Sequence, residues 1–253
     1  MNVRQTALIA TLALATLPAM AQSTAPASPW SVTGNVGLFS DYTYRGISQT
    51  NRKPAIQGGF DVAHSSGFYA GNWNSNVDSG GYNGANIEMD FYGGYKATMG
   101  AFGFDVGALY YYYPGSGAGG TTKIDNTEIY VGASWGPVTA KYSYAVSDFF
   151  GVADSKGSSY WDLGFSQDVG QGFGLVAHVG YQSLKNKAAA TQMDGTTTDS
   201  IVDYKLGGTY TVSGWAFGAA FVGTNRDLTY GTASLSNKNV SDNTFVVSLS
   251  KTF

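Results

Sequence analysis

Few side chains in this sequence are equipped for catalysis. There are two histidines and no cysteine, so thiolate nucleophiles and thiolate metal sites are excluded, as are disulfides in an exported chain. "AHSSG" sets His64 two residues before Ser66, the H-x-S spacing of barrel phospholipases, where the imidazole takes the serine proton. Such a pair must face substrate in the extracellular half and needs a third group to orient the ring. Here it falls in a short turn on the opposite side, and an ordinary polar turn is the better reading. His178 lies in mid-strand with no evident serine partner. A barrel protease would need paired carboxylates with a histidine near the long loops, and no histidine is near them. Glu88 with Asp90, or Asp199 with Asp203, could offer oxygen ligands, yet Glu88 and Asp90 share one strand face and suit a polar lumen equally well. "DSGGYNG" and "DSKGSS" lack the acidic density of a calcium loop. "GSGAGG" precedes no helix and is not a phosphate cradle. No cofactor or metal is expected, and no enzyme.

The elements that carry these residues are set by composition and by the two ends. "MNVRQTALIATLALATLPAMAQ" has Arg4, an apolar run from Ala7 to Leu17 and an Ala19-Met20-Ala21 cleavage pattern. The run is too short to span a bilayer, so residues 1–21 read as a secretory signal. "QSTAPASP", residues 22–29, reads as a flexible lead-in. Loss of Arg4 takes the net charge from −3 to −4, and no basic patch favours nucleic acid. Only 12% of residues are charged, against about 25% in soluble proteins. There are 35 glycines, 18 tyrosines and 14 phenylalanines, with a mean hydropathy of −0.11. A soluble sandwich or lipocalin-like barrel needs many surface charges. A transmembrane barrel needs few, because one face of each strand meets lipid.

Alternation with a period of two runs through residues 30–253. Val32, Val36 and Leu38 oppose Thr33 and Asn35, and this phase extends to Tyr42 and Tyr44. Tyr69 and Trp73 are assigned outward, opposing Asn72 and Asn74. Phe102, Phe104 and Val106 oppose Gly103 and Asp105. Trp161, Leu163 and Phe165 oppose Asp162 and Ser166. The pattern predicts an all-β, antiparallel up-and-down barrel of about twelve strands, with short and long connections alternating. The first long loop spans Gly46 to Lys53. Aromatics at both ends of the apolar phase form two girdles: Tyr42, Tyr44, Tyr110, Tyr112, Tyr144, Trp161 and Tyr181 on the long-loop side, and residues such as Trp30, Phe60, Trp135 and Trp215 on the other.

The polar phase collects the charges, since an outward Arg or Lys costs ~2–4 kcal/mol at the membrane midplane. Asp41, Asp61, Glu88, Asp90, Asp105, Glu128, Asp162 and Asp203 face inward, with Arg45, Lys96, Lys141 and Lys205. Eight acids against four bases would favour cations weakly in a narrow pore, unless the charges pair and plug the barrel. Asp41 and Arg45 lie ~13 Å apart on an extended strand, so each needs a cross-strand partner. Arg45 is then either a gate charge at the mouth or a tie between the first loop and a neighbouring strand. The chain ends "NTFVVSLSKTF": terminal Phe253 resembles the assembly signal of outer-membrane barrels, and Lys251 departs from its usual apolar residue.

The segment "SDYTYRGISQTNRKPAIQGGFDVAHSSGFYAGNWNSNV", Ser40 to Val77, resembles the signature of the TorF-type porin family, the Gcw_chp family of uncharacterised bacterial proteins. S-D-Y, Y-R-G-x-S-Q, Pro-Ala-x-Gln-Gly, S-G-x-Y-x-G and W-x-S-N-V carry the match, and "EMDFYGGY" from Glu88 continues it. The resemblance implies a bacterial outer membrane, partners in lipid and the barrel assembly machinery, and passive diffusion of small solutes. It brings no substrate or catalytic residue. A closed structural or partner-binding barrel and an outer-membrane hydrolase stand as the alternatives. The oligomeric state is not legible.

Overall fold

A computed structural model of the chain describes residues 28–186, 197–228 and 239–253. The leader, most of the lead-in and parts of the loops after Lys185 and Asn225 lie outside the described residues. The strands are β1 (Trp30–Phe39), β2 (Thr43–Tyr44), β3 (Ile47–Ser48), β4 (Ala55–His64), β5 (Phe68–Asn76), β6 (Ile87–Met99) and β7 (Phe102–Tyr112). They continue as β8 (Asn126–Trp135), β9 (Val138–Ala145), β10 (Ser159–Gly170), β11 (Phe173–Ser183), β12 (Ser200–Val212), β13 (Trp215–Thr224) and β14 (Thr244–Thr252).

Twelve of these close into one antiparallel barrel, from β1 through β4 and on to β14. The seam is β1 on β14, from Asn35 opposite Thr252 to Phe39 opposite Ser248. Closure leaves no unpaired edge in lipid, where every backbone N–H and C=O must be satisfied internally. Large apolar side chains stand outward: Val32, Phe60 and Leu206 are each 67% exposed. That pattern is untenable in water and is the lipid face of a transmembrane barrel. No described helix is long and apolar enough to cross a membrane; the strands make the crossing.

Three features differ from the sequence-based expectation. First, β1 stops at Phe39. Ser40 is pinned to β14 through its N–H and Oγ, at 2.9 and 3.0 Å from the Val247 backbone. The chain then turns into the barrel, so Asp41 and Arg45 are not on a continuing strand. Second, Tyr42 and Tyr44 leave the aromatic girdle. Tyr42 is buried in the lumen, and β2, from the expected end of the first strand, forms a small hairpin with β3, from the expected loop. Third, β5 has the opposite phase. Tyr69 and Trp73 point inward, where Tyr69 Oη bonds Asp105 at 2.7 Å and Trp73 packs on Tyr42. Phe68, Ala70, Asn72, Asn74 and Asn76 take the outward positions. Aromatic rings with a polar handle suit either face, so the tyrosine and tryptophan misled the assignment.

Candidate functional site

The opening motif Tyr44-Arg45-Gly46-Ile47 forms the tip of the inward hairpin. Arg45 and Gly46 have φ of 48° and 78°, the two positive values of a two-residue type I′ turn. Gly46 is required sterically as well. A Cβ there would lie 2.5 Å from Thr224 Cγ2 and 2.8 Å from Asp203 Cβ. The tip is therefore pressed against β13 and β12, two and three strands from β1 around the wall.

Arg45 holds a backbone conformation that a long side chain rarely adopts. Its niche compensates. Nη2 donates to both oxygens of Glu128 on β8, at 2.9 and 2.8 Å, and Nη1 donates to Gln182 on β11. The guanidinium carbon lies 4.1 Å from the ring centre of Tyr160 on β10 and 4.7 Å from that of Tyr44. The Arg45 and Glu128 side chains are 9% and 3% exposed. A guanidinium is the residue head best suited to such a planar, ring-faced, charge-paired site.

The root of the hairpin is fastened by Asp41. Its carboxylate accepts from Ser48 Oγ at 2.6 Å, Thr50 Oγ1 at 2.9 Å and Arg52 Nη1 at 3.1 Å. Its ion-pair partner thus comes from the same loop, not from across the sheet. Around the root, Tyr42, Trp73, Val77, Leu109, Tyr111 and Tyr113 pack as a buried cluster inside the long-loop half of the barrel. Tyr44 Oη reaches Tyr111 Oη at 3.1 Å. Glu88 and Asp90 sit within this layer, 1% and 0% exposed, and Tyr42 donates to Glu88 at 3.1 Å.

The short-turn half of the lumen is looser. One wall carries tyrosines bonded to acids: Tyr92 to Asp61 and Tyr69 to Asp105, both at 2.7 Å. Lys96 lies 4.4 Å from the Tyr69 ring centre, and Lys141 5.5 Å from that of Tyr130. A second cluster, toward the long-loop ends of β10 and β12 and beneath the hairpin tip, centres on His178. Its ring nitrogens meet Asp162 at 3.2 Å and Asp203 at 2.6 Å, while Tyr160 donates to Asp203 at 2.9 Å. Lys205 stands opposite His178 in register. Asp61, Lys96, Asp105, Lys141 and Lys205 remain partly exposed, whereas Asp41, Glu88, Asp90, Glu128, Asp162 and Asp203 are buried. The charges are thus sorted by depth, with most acids beneath the hairpin.

Sequence reasoning passed over Tyr160, Gln182 and the role of His178. Their partners arrive from strands distant in the chain. The one available signal was "TYRGIS", two short alternating arms around Arg-Gly. Elsewhere, His64 Nδ1 lies 2.7 Å from Ser66 Oγ in an exposed turn, with the ring against Trp30. Among the described residues, no three His, Cys, Asp or Glu side chains gather as a metal site. Asp203 is engaged by His178 rather than directed toward Asp199. Phe253 exchanges backbone bonds with Gly34 at 2.8 and 3.2 Å, and its ring is 70% exposed.

A family model described as "Bacterial protein of unknown function (Gcw_chp)" matches residues 23–253. No curated protein matches the sequence. A solved structure described as "NanC porin structure in rhombohedral crystal form" is 12% identical, with a TM-score of 0.55. The match covers 87% of this chain and 99% of that one. A second, described under "Unveiling the Mechanism Behind the in-meso Crystallization of Membrane Proteins", is 10% identical with a TM-score of 0.50, covering 88% of this chain and 83% of the other. At these identities the likeness is one of fold.

Proposed function

Because the chain belongs to the Gcw_chp family of bacterial proteins and folds as a porin-like barrel, we propose that it is an outer-membrane porin for passive diffusion of small solutes. The observation that carries this reading is the polar lumen, crossed at one level by a single hairpin whose tip is held by polar contacts. A structural barrel has no need of lysines and aspartates along a partly exposed inner wall. Closing a lumen with a charge-paired hairpin makes a constriction that competing ions or solutes can release. The resemblance of Ser40–Val77 to TorF-type porins supports the same role. Phe253 serves the assembly machinery, and the outward apolar belt meets outer-membrane lipid.

The weak cation preference belongs to the state with the hairpin withdrawn. Only then do Glu88, Asp90 and Glu128 join Asp61 and Asp105 in lining the path. With the hairpin seated, the buried aromatic cluster favours a second reading, a closed barrel whose long loops bind a partner. No hydrolytic role is proposed for His64 and Ser66.

Planar-bilayer recording and liposome swelling with graded sugars separate the two readings. Conductance steps with modest cation selectivity, and swelling with a size cutoff, support the porin. Silence in both assays, from wild type and hairpin variants alike, supports the closed barrel.

A further inference from the structure

The wall builds most of the niche that receives Arg45, and the hairpin adds only the Tyr44 ring. Glu128 stands on β8, Tyr160 on β10 and Gln182 on β11. Tyr160 and Gln182 face each other in register. Each of the three is oriented by partners on the wall itself. Gln182 Nε2 donates to the Ser159 and Ser183 carbonyls at 3.0 and 3.2 Å, which leaves Oε1 as the group that meets the guanidinium. Tyr160 Oη donates to Asp203 at 2.9 Å, and the ring face is left to Arg45. Tyr111 on β7 donates to Glu128 Oε2 at 3.3 Å.

This set matches one chemical group. Both oxygens of a carboxylate accept from one terminal nitrogen, and an amide oxygen accepts from the other. A ring lies against the flat face at 4.1 Å. The complement is a planar, delocalised cation with donors along its edge. An ammonium is a compact, strongly hydrated point charge and cannot lie against the ring while serving both acceptors. The niche also outlasts the hairpin. With Arg45 lifted out, the wall partners still hold Glu128, Gln182 and Tyr160 in place, and the carboxylate is left without its counter-charge, a costly state in a buried site. Arg45 for its part sits at φ 48°, a strained backbone for a long side chain. A free guanidinium enters the same niche without that strain.

We propose that Glu128, Gln182 and Tyr160 form a binding site for small solutes that carry a guanidinium group, and that Arg45 fills it as a tethered stand-in. A matching solute displaces Arg45, the tip lifts, and the bore widens. When the solute leaves, Arg45 returns. The root of the hairpin stays fastened through Asp41, so the tip alone has to move. Tethering gives Arg45 a high effective concentration. Simple inorganic cations lack the planar edge of donors and compete poorly with it, whereas a guanidinium reproduces every contact. The inference rests on the proposed porin role for the passage of the solute, and on the geometry of the wall for its binding.

Methylguanidinium is the probe, and methylammonium, of equal charge, is the control. In Arg45→Ala barrels, methylguanidinium should raise the thermal unfolding midpoint with increasing concentration, and methylammonium should not. Adding Glu128→Gln should remove the shift. Gly46→Ala, which lifts the tip with Arg45 intact, should show the same shift and serves if Arg45→Ala does not assemble. In planar bilayers, methylguanidinium should increase the conductance of the wild-type barrel, and methylammonium at the same concentration should leave it unchanged. The proposal is overturned if methylguanidinium gives no midpoint shift, if methylammonium gives an equal one, or if the shift survives Glu128→Gln. A wild-type barrel that conducts but ignores methylguanidinium overturns it too and leaves the porin role standing. A midpoint shift in a barrel that never conducts upholds the binding site and overturns the porin role.

Discussion

Arg45 and Glu128 are 83 residues apart and meet at 2.8 Å inside the barrel. The contact joins the tip of an inward hairpin to the wall on β8. Of the two roles that the sequence left open for Arg45, the tie is the one seen. Under the proposed porin role, this tie sets how far the hairpin obstructs the bore.

Arg45→Ala should therefore enlarge the single-channel conductance and the swelling cutoff. It should also destabilise the barrel, since removing one partner of a buried pair costs about 3–5 kcal/mol. Arg45→Lys should recover little, because an ammonium cannot serve Glu128, Gln182 and the Tyr160 face together. Conductance unchanged in a normally assembled Arg45→Ala barrel would refute the constriction.

Gly46→Ala should open the pore while leaving every charge in place. The added Cβ would lie 2.5 Å from Thr224 Cγ2, and a left-handed conformation costs a non-glycine residue roughly 1–2 kcal/mol. The tip must then lift from β12 and β13. Bilayer recording should show the same direction of change as Arg45→Ala, with the weak cation preference of the withdrawn hairpin.

His178→Ala leaves Asp162 and Asp203 without the ring that bridges them. Asp203 keeps its bond from Tyr160, so the loss is that of hydrogen bonds to charged groups, ~1.5–3 kcal/mol each, and the thermal unfolding midpoint should fall. His178→Asn should fall less, since an amide can still donate to one carboxylate. Equal midpoints for wild type and His178→Ala would show that the bridge adds nothing.

Leu163→Lys tests the lipid face. Leu163 points outward at the middle of β10 and is 51% exposed. A lysine there should cost ~2–4 kcal/mol in folding into vesicles, measurable by denaturant titration in lipid. The same change at Thr139, inward and partly exposed on β9, should disturb conductance more than folding.

The barrel was legible in the order of residue types. Alternation in β7, β8, β10 and β13 needs no long-range information, because a strand with lipid on one side and polar contacts on the other must place opposite residues in opposite phases. The scarcity of charge excluded a water-facing exterior in the same local way. The Y-R-G motif could be seen as distinctive but not understood. Its meaning lies in Glu128, Gln182 and Tyr160, which reach Arg45 only once β8, β10 and β11 have closed around the bore. The phase of β5 was ambiguous for a related reason: tyrosine, tryptophan and asparagine can each satisfy themselves on either side of a wall. Local periodicity states which residues share a face. Which face turns inward, and whether the first loop stays outside or enters the lumen, depends on partners brought together from distant strands.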